Sequence, residues 1–175
     1  MPANLTEAWF GNKVRRTMSK PVIEIEDVVR PEWIDSNGHM NLAYYVVVFD
    51  IATDALYDEL DIGNAYRART SFSCFTAETH TLYERELHLG ERLRVQSWLL
   101  GADGKRVHYF HEMFHAESGE RCCVQELMAL HIDMHVRRVA PFEPAKYEAM
   151  QDLVRQYAPL ELPRGCGRRI ALPGR

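Results

Sequence analysis

Two hydrophobic periods alternate along this chain. Val22-Ile23-Glu24-Ile25-Glu26-Asp27-Val28-Val29 is β-branched with partial alternation and predicts a first strand, ended by Pro31. From Asn41 to about Leu60 the period lengthens. Leu42, Tyr45, Val46, Phe49, Ala52, Leu56 and Leu60 recur at helical spacing, while Asp50, Asp54 and Asp58 step along another side. The Val46-Val47-Val48 triplet is β-prone, but the length and the sustained 3.6 period favour a helix, with Gly63-Asn64 as its stop. Residues 42–49 are apolar almost all round, so the helix is expected to be wrapped by other elements. Four strand-like runs follow: Cys74 to Tyr83, Glu91 to Leu100, Arg106 to His115 and Cys122 to Asp133. In the second run Leu93, Val95 and Leu99 oppose Arg92, Arg94 and Gln96. Asp103-Gly104 and Ser118-Gly119 mark tight turns, so the runs read as an antiparallel meander. A short helix is expected from Pro141 to about Tyr157, then a Pro/Gly/Arg tail.

An antiparallel sheet with one long apolar helix needs that helix as cover. The predicted class is α+β, a curved antiparallel sheet wrapped around a central helix. Residues 1–20 read as an N-terminal extension, 21–140 as the domain, and 141–175 as a C-terminal helix and tail.

Composition narrows the function. The 175 residues suffice for one domain with its own core, and 46% are hydrophobic and 26% charged, as in ordinary globular proteins. A net charge of −4 and a pI near 6.1 give no bulk electrostatic case for nucleic acid. Arg15-Arg16 and the arginines between 164 and 169 are read as solvated ends. With no secretory signal and no run of about 18 apolar residues, no membrane association is expected and a cytoplasmic location is. Cys74, Cys122, Cys123 and Cys166 form no CxxC pair, which argues for reduced thiols rather than disulfides or a zinc framework. His108, His111, His115, His131 and His135 lack compact ligand spacing, although His111 and His115 share a strand face. No metal site is expected.

The candidate chemistry lies just ahead of the long helix, in Trp33-Ile34-Asp35-Ser36-Asn37-Gly38-His39-Met40-Asn41-Leu42. A helix start offers unpaired N–H groups and a positive dipole end, which suits it to a developing oxyanion. A carboxylate beside it can attack a polarised carbonyl or direct water at it. The Asp35-Ser36-Asn37-Gly38-His39-Met40-Asn41 stretch resembles the Asp-x-x-Gly-His-x-Asn motif of hot-dog fold acyl-CoA thioesterases, the 4-hydroxybenzoyl-CoA thioesterase-like family. The resemblance covers roughly residues 22–135 and extends to the stretch from Leu82 to Glu91. Pro31 to Asp35, Phe49 to Asp54 and Leu130 to Asp133 look more like the betainyl-CoA thioesterases of carnitine breakdown.

The resemblance implies a hot-dog fold and hydrolysis of an acyl-CoA or acyl-carrier thioester. Asp35 would be nucleophile or general base, and backbone N–H groups near Asn41 and Leu42 would polarise the carbonyl. Coenzyme A enters as part of the substrate, and no cofactor is implied. The family works as a homodimer or a tetramer built from dimers. Read without the family, Asp35 is also a turn carboxylate, Gly38 a turn glycine and Asn41 a helix N-cap. His39 either binds substrate or orders the loop. Tyr44, Tyr45 and Phe49 are core or acyl-pocket residues. For a quaternary ammonium acyl group, Trp33, Tyr44, Tyr45 and Trp98 are candidates for an aromatic cage.

Glu126 shares a strand face with apolar Cys122, Val124, Met128, Leu130 and Ile132, so it is either a functional carboxylate or a hydrogen-bonded structural one. Glu78 and His80 share a face read as solvated. Lys105, Arg106, Arg137 and Arg138 are candidates for the CoA diphosphate. The competing readings are a non-catalytic acyl-CoA-binding module and a hot-dog hydratase or dehydratase, whose acid–base pair would be Asp35 and His39.

Overall fold

A computed structural model describes residues 20–172; the expected extension over residues 1–20 lies almost wholly outside them. Strand β1 spans Ile23–Val28, and a single 3-10 turn, Pro31–Trp33, leads into the loop ahead of helix α1, Leu42–Glu59. Helix α2, Asn64–Thr70, precedes strands β2 (Phe72–Tyr83), β3 (Arg92–Ala102), β4 (Arg106–His115) and β5 (Arg121–Asp133). A short β6, Arg138–Val139, pairs with β5, and helix α3 spans Pro144–Tyr157. The sheet is antiparallel in the order β1-β3-β4-β5-β2.

This order corrects the expected meander at one point. β3, β4 and β5 follow one another, but β2 pairs with β5 at the far edge and not with β3. The link from residue 84 to 91 therefore crosses the end of the sheet. It is tied at both sides: Glu84 N–H donates to Cys122 O (2.8 Å), and Met40 N–H donates to Leu87 O (2.7 Å). Local alternation specified each strand and left its neighbour undetermined.

Helix α1 packs on β1 and β3. Tyr45, Val48, Phe49 and Ala52 meet Leu93, Val95 and Met113 at one end, and Leu56 and Leu60 meet Leu99, Val107, Tyr109, Leu127 and Ala129 at the other. Met150 and Tyr157 of α3 complete the second cluster. On β3 the expected inward set holds, joined by a buried Ser97.

Three further expectations are corrected. The first turns of α1 are not wrapped: Leu42 is 62% exposed, and Val46, Val47 and Ile51 lie open. Phe75 and Tyr83 on edge strand β2 are exposed as well. Gly63-Asn64 does not stop α1, which is capped by Leu60; Gly63 is the N-cap of α2, where the Asp58 side chain leaves no room for a Cβ. On β5 the inward residues are Gln125, Leu127, Ala129 and His131. Glu126 lies on the opposite face, where residues 164–167 cover Leu82, Phe110 and Val124.

One polar group sits deep between helix and sheet. His111 is fully buried, with Nε2 2.9 Å from Thr53 Oγ1 and Nδ1 2.7 Å from Ser97 Oγ. The Thr53 hydroxyl donates to Phe49 O at 2.9 Å. Its single hydrogen is thus committed, so His111 Nε2–H donates to Thr53 and Nδ1 accepts from Ser97. Every polar atom of the imidazole is satisfied, and burial holds its pKa down at about 3.

Candidate active site

The loop from Trp33 to Asn41 is a tight hairpin. Ile34 and Met40 form a bridge, Asp35 N–H donates to His39 O (3.0 Å), and Gly38 N–H donates to Asp35 O (3.0 Å). Gly38 closes the turn at φ +83°, a conformation costly for any residue with a Cβ. Asp35 Oδ1 accepts from Asn37 N–H at 2.8 Å. One carboxylate oxygen therefore braces the turn, while Oδ2 has no hydrogen bond among the described residues. The turn-carboxylate reading holds for Oδ1 alone.

At the helix start, the N–H groups are unequally available. Asn41 is the N-cap, its Oδ1 accepting from Ala43 N–H at 3.0 Å. Its own N–H donates to Trp33 O (2.9 Å), and Tyr44 N–H donates to Asn41 O (3.0 Å). Leu42 N–H alone of this group has no acceptor among the described residues. Of the two expected oxyanion donors, Asn41 is committed to the backbone and Leu42 is open.

Beside this N–H lies a cleft of about 400 Å³, lined by His39, Met40, Leu42, Tyr45, Tyr83, Glu84, Arg85 and Glu86. Its volume falls within the usual range for small-molecule sites. Tyr45 OH accepts from Leu87 N–H (3.0 Å) and donates to Arg85 O (3.4 Å), and burial pushes its pKa well up, so it stays a neutral wall. Tyr83 meets it edge-on, ring centroids 5.5 Å apart, and donates through its hydroxyl to Leu42 O at 3.2 Å. Glu86 reaches within 3.8 Å of His39 Nε2 and 3.7 Å of His88 Nε2. Glu84 is held ionised by its two-point bond to Arg121, which lowers its pKa. His39 also has Nδ1 3.3 Å from Met40 O.

Other expected residues stand elsewhere. Asp35 is on the turn ahead of His39 and is not among the lining residues. Trp33 is buried, with Tyr44 stacked on one side at 5.6 Å and the Arg30 guanidinium 4.7 Å from its ring centroid. Trp98 points its Nε1–H at Glu112 on β4 (3.0 Å). The expected four-ring cage is therefore not formed; the aromatic rings lining the cleft are Tyr45 and Tyr83. Tyr83 was missed because it comes from an edge strand 41 residues from Leu42. None of Lys105, Arg106, Arg137 and Arg138 lines the cleft, whereas Arg85 does. His115 meets Ser118 N–H and Glu91, apart from His111, so these two histidines form no pair.

A curled antiparallel sheet packed about one long helix is the hot-dog architecture. The chain belongs to the thioesterase-like superfamily, whose family pattern matches residues 29–150. It is 37% identical over 156 residues to the betainyl-CoA thioesterase of Pseudomonas aeruginosa, covering 89% of this chain and 98% of that protein. The L-carnitine dehydrogenase/betainyl-CoA thioesterase of Ruegeria pomeroyi is 31% identical over 89% of this chain, which spans 31% of that longer protein. Among solved structures, a Staphylococcus aureus protein in complex with CoA superposes with a TM-score of 0.79 at 27% identity, covering 89% of this chain and 98% of that one. A putative thioesterase from Pseudomonas putida gives 0.70 at 35% identity, over 85% of this chain and 95% of the other.

Proposed function

We propose that this acyl-CoA thioesterase acts on a short acyl group bearing a quaternary ammonium, with betainyl-CoA as the substrate. The observation that carries this reading is the Tyr45–Tyr83 corner with Glu86 on the same wall, beside the open Leu42 N–H. Tyrosine faces and a carboxylate attract a cation that cannot donate hydrogen bonds. The similarity to proteins named betainyl-CoA thioesterase supports the same substrate.

In this reading the Leu42 N–H and the positive end of α1 polarise the thioester carbonyl. Asp35, through Oδ2, either attacks the carbonyl carbon, giving an acyl-aspartyl anhydride that water then hydrolyses, or takes a proton from the water that attacks the carbonyl directly. The C–S bond breaks, CoA leaves as the thiolate and takes up a proton, and the acid is released. A thioester is activated enough that one carboxylate and one polarising donor suffice. Comparing kcat/KM for betainyl-CoA with that for a neutral isostere of the same size tests the substrate. The reading requires betainyl-CoA to be preferred by at least about tenfold; equal rates sink it.

The working form in this reading is a cytoplasmic homodimer. The free edge of β2 and the open stripe of Leu42, Val46, Val47 and Ile51 support it, since together they present unpaired strand groups and apolar surface next to the cleft. Light scattering of wild type and of Val47→Glu measures it, with loss of the dimer expected in the variant. A wild-type monomer overturns it.

A further inference from the structure

The face of the sheet turned away from α1 carries a second cluster, which the hydrolysis reading does not use. Strand register assembles most of it. His80 on β2 lies directly opposite Glu126 on β5. On the other side Phe110 of β4 lies opposite Glu126, which places His108, two residues along, on that same face. The fourth member comes from the tail. Gly165 and Gly167, both in the left-handed region, turn the chain so that Gly165 packs on Leu82 and Val124 while Cys166 faces the sheet.

The atoms meet closely. His108 Nε2 is 2.8 Å and Cys166 Sγ 3.3 Å from Glu126 Oε1, and Gly167 N–H donates to Glu126 Oε2 at 2.6 Å. One ligand atom from each of His108, Glu126 and Cys166 lies within 4.8 Å of the others. His80, His108 and Glu126 also line a cavity of about 320 Å³ with Glu78 and Arg168.

We propose that His108, Glu126 and Cys166, with His80 as fourth ligand, form a site for a divalent transition-metal ion of the zinc type. Tetrahedral zinc, with bonds of roughly 2.0–2.3 Å, needs its ligand atoms about 3.3–3.6 Å apart. The two measured separations lie within about half an ångström of that range, the third pair lies within 4.8 Å, and His80 would reach the ion from the opposite register position on β2. Imidazole and thiolate together select zinc-type ions over magnesium or calcium, which take oxygen ligands. On binding, the Cys166 S–H bond breaks, its proton goes to solvent, and the thiolate sulfur bonds the metal. The ion would clamp the tail across the sheet on the face away from the cleft, which makes the role structural and independent of the substrate assignment.

The test uses the full chain without an affinity tag. Calorimetric titration with zinc should give one ion per chain, and cobalt should give a thiolate-to-metal charge-transfer absorption. Cys166→Ser should abolish that absorption, and Cys166→Ser and His108→Gln should each weaken zinc binding by at least about tenfold. Cys74→Ser, on another part of the fold, should change neither readout. Zinc should also raise the unfolding midpoint of wild type but not of Cys166→Ser, whose folding is checked by circular dichroism. Absence of stoichiometric zinc binding overturns the proposal, as does binding that both ligand substitutions leave intact.

Discussion

Two histidine-bearing regions of this protein differ in how fully their polar atoms are paired. Around His111 the accounts close: Ser97, Thr53 and both imidazole nitrogens each have a partner, and Phe49 stacks on the ring at 5.5 Å. In the loop from Asp35 to Leu42 they do not. Among the described residues, one oxygen of Asp35 braces the turn and the other has no partner, and of the first N–H groups of α1 that of Leu42 stays open. Unpaired buried polar atoms are costly, so a region that satisfies all of them acts as scaffold. A region that leaves a donor open at the rim of a cleft, with a carboxylate oxygen unengaged on the adjoining turn, is equipped to bind and react. The contrast teaches where to look for chemistry: at incomplete pairing on a rigid base, rather than at histidine as such.

The largest effect tests the open region. Asp35→Asn keeps a side-chain oxygen able to accept from Asn37 N–H but removes the charge. Hydrolysis should fall by about 10² to 10⁴, as for loss of a positioned base, with the unfolding midpoint nearly unchanged; turnover within threefold of wild type would remove Asp35 from the chemistry. The closed region should respond the other way round. His111→Ala strands the Ser97 hydroxyl, takes a donor from Thr53 and opens a cavity, a loss of about 3 kcal/mol in denaturant unfolding, while kcat of the remaining folded enzyme should hold.

Acid sharpens the same contrast. Folded, His111 has its pKa held down at about 3 by burial; unfolded, it sits at about 6.5. Between those values the unfolded chain binds a proton that the folded one refuses. This group's contribution is therefore complete above pH 6.5 and is lost as pH falls toward 3, at up to about 1.4 kcal/mol per pH unit. The difference in stability between wild type and His111→Gln should shrink over that window; a difference independent of pH would refute the assignment.

Smaller effects belong to the cleft wall and the turn. Tyr83→Leu should raise KM for betainyl-CoA about threefold to thirtyfold, the worth of a cation–π contact, and leave a neutral acyl-CoA nearly unaffected. Gly38→Ala meets no atom within 4 Å, so its cost is conformational alone, about 1 kcal/mol in unfolding.

Much of the architecture was legible beforehand. Alternation marked β1 and β3, strand-like runs between turn signals marked β2, β4 and β5, the 3.6 period marked α1, and the residues from Asp35 to Asn41 marked the loop. Helix α2 was missed because Gly63-Asn64 reads equally as a stop and as a start. Glu126 keeps the strand face that alternation gave it, but what covers that face was not legible, because both faces of β5 are largely covered, one by α1 and the other by the tail. Tyr83 and Arg85 lie in the Leu82–Glu91 stretch that the resemblance marked, but nothing in an edge strand and its following link points to a helix start some 40 residues earlier.

What the chain's order of residues determined by itself is what depends on near neighbours: strand and helix periods, the Gly38 turn, the Asn41 cap and the carboxylate ahead of it. Each rests on interactions within a few residues. Tertiary structure decided which strand lies beside which, which N–H at the helix start stays open among the described residues, which rings line the cleft, and that His108, Glu126 and Cys166 converge. Those depend on sheet register and on packing between distant segments, where one residue of slip sends a side chain to the other face. Local patterning carries no record of that choice.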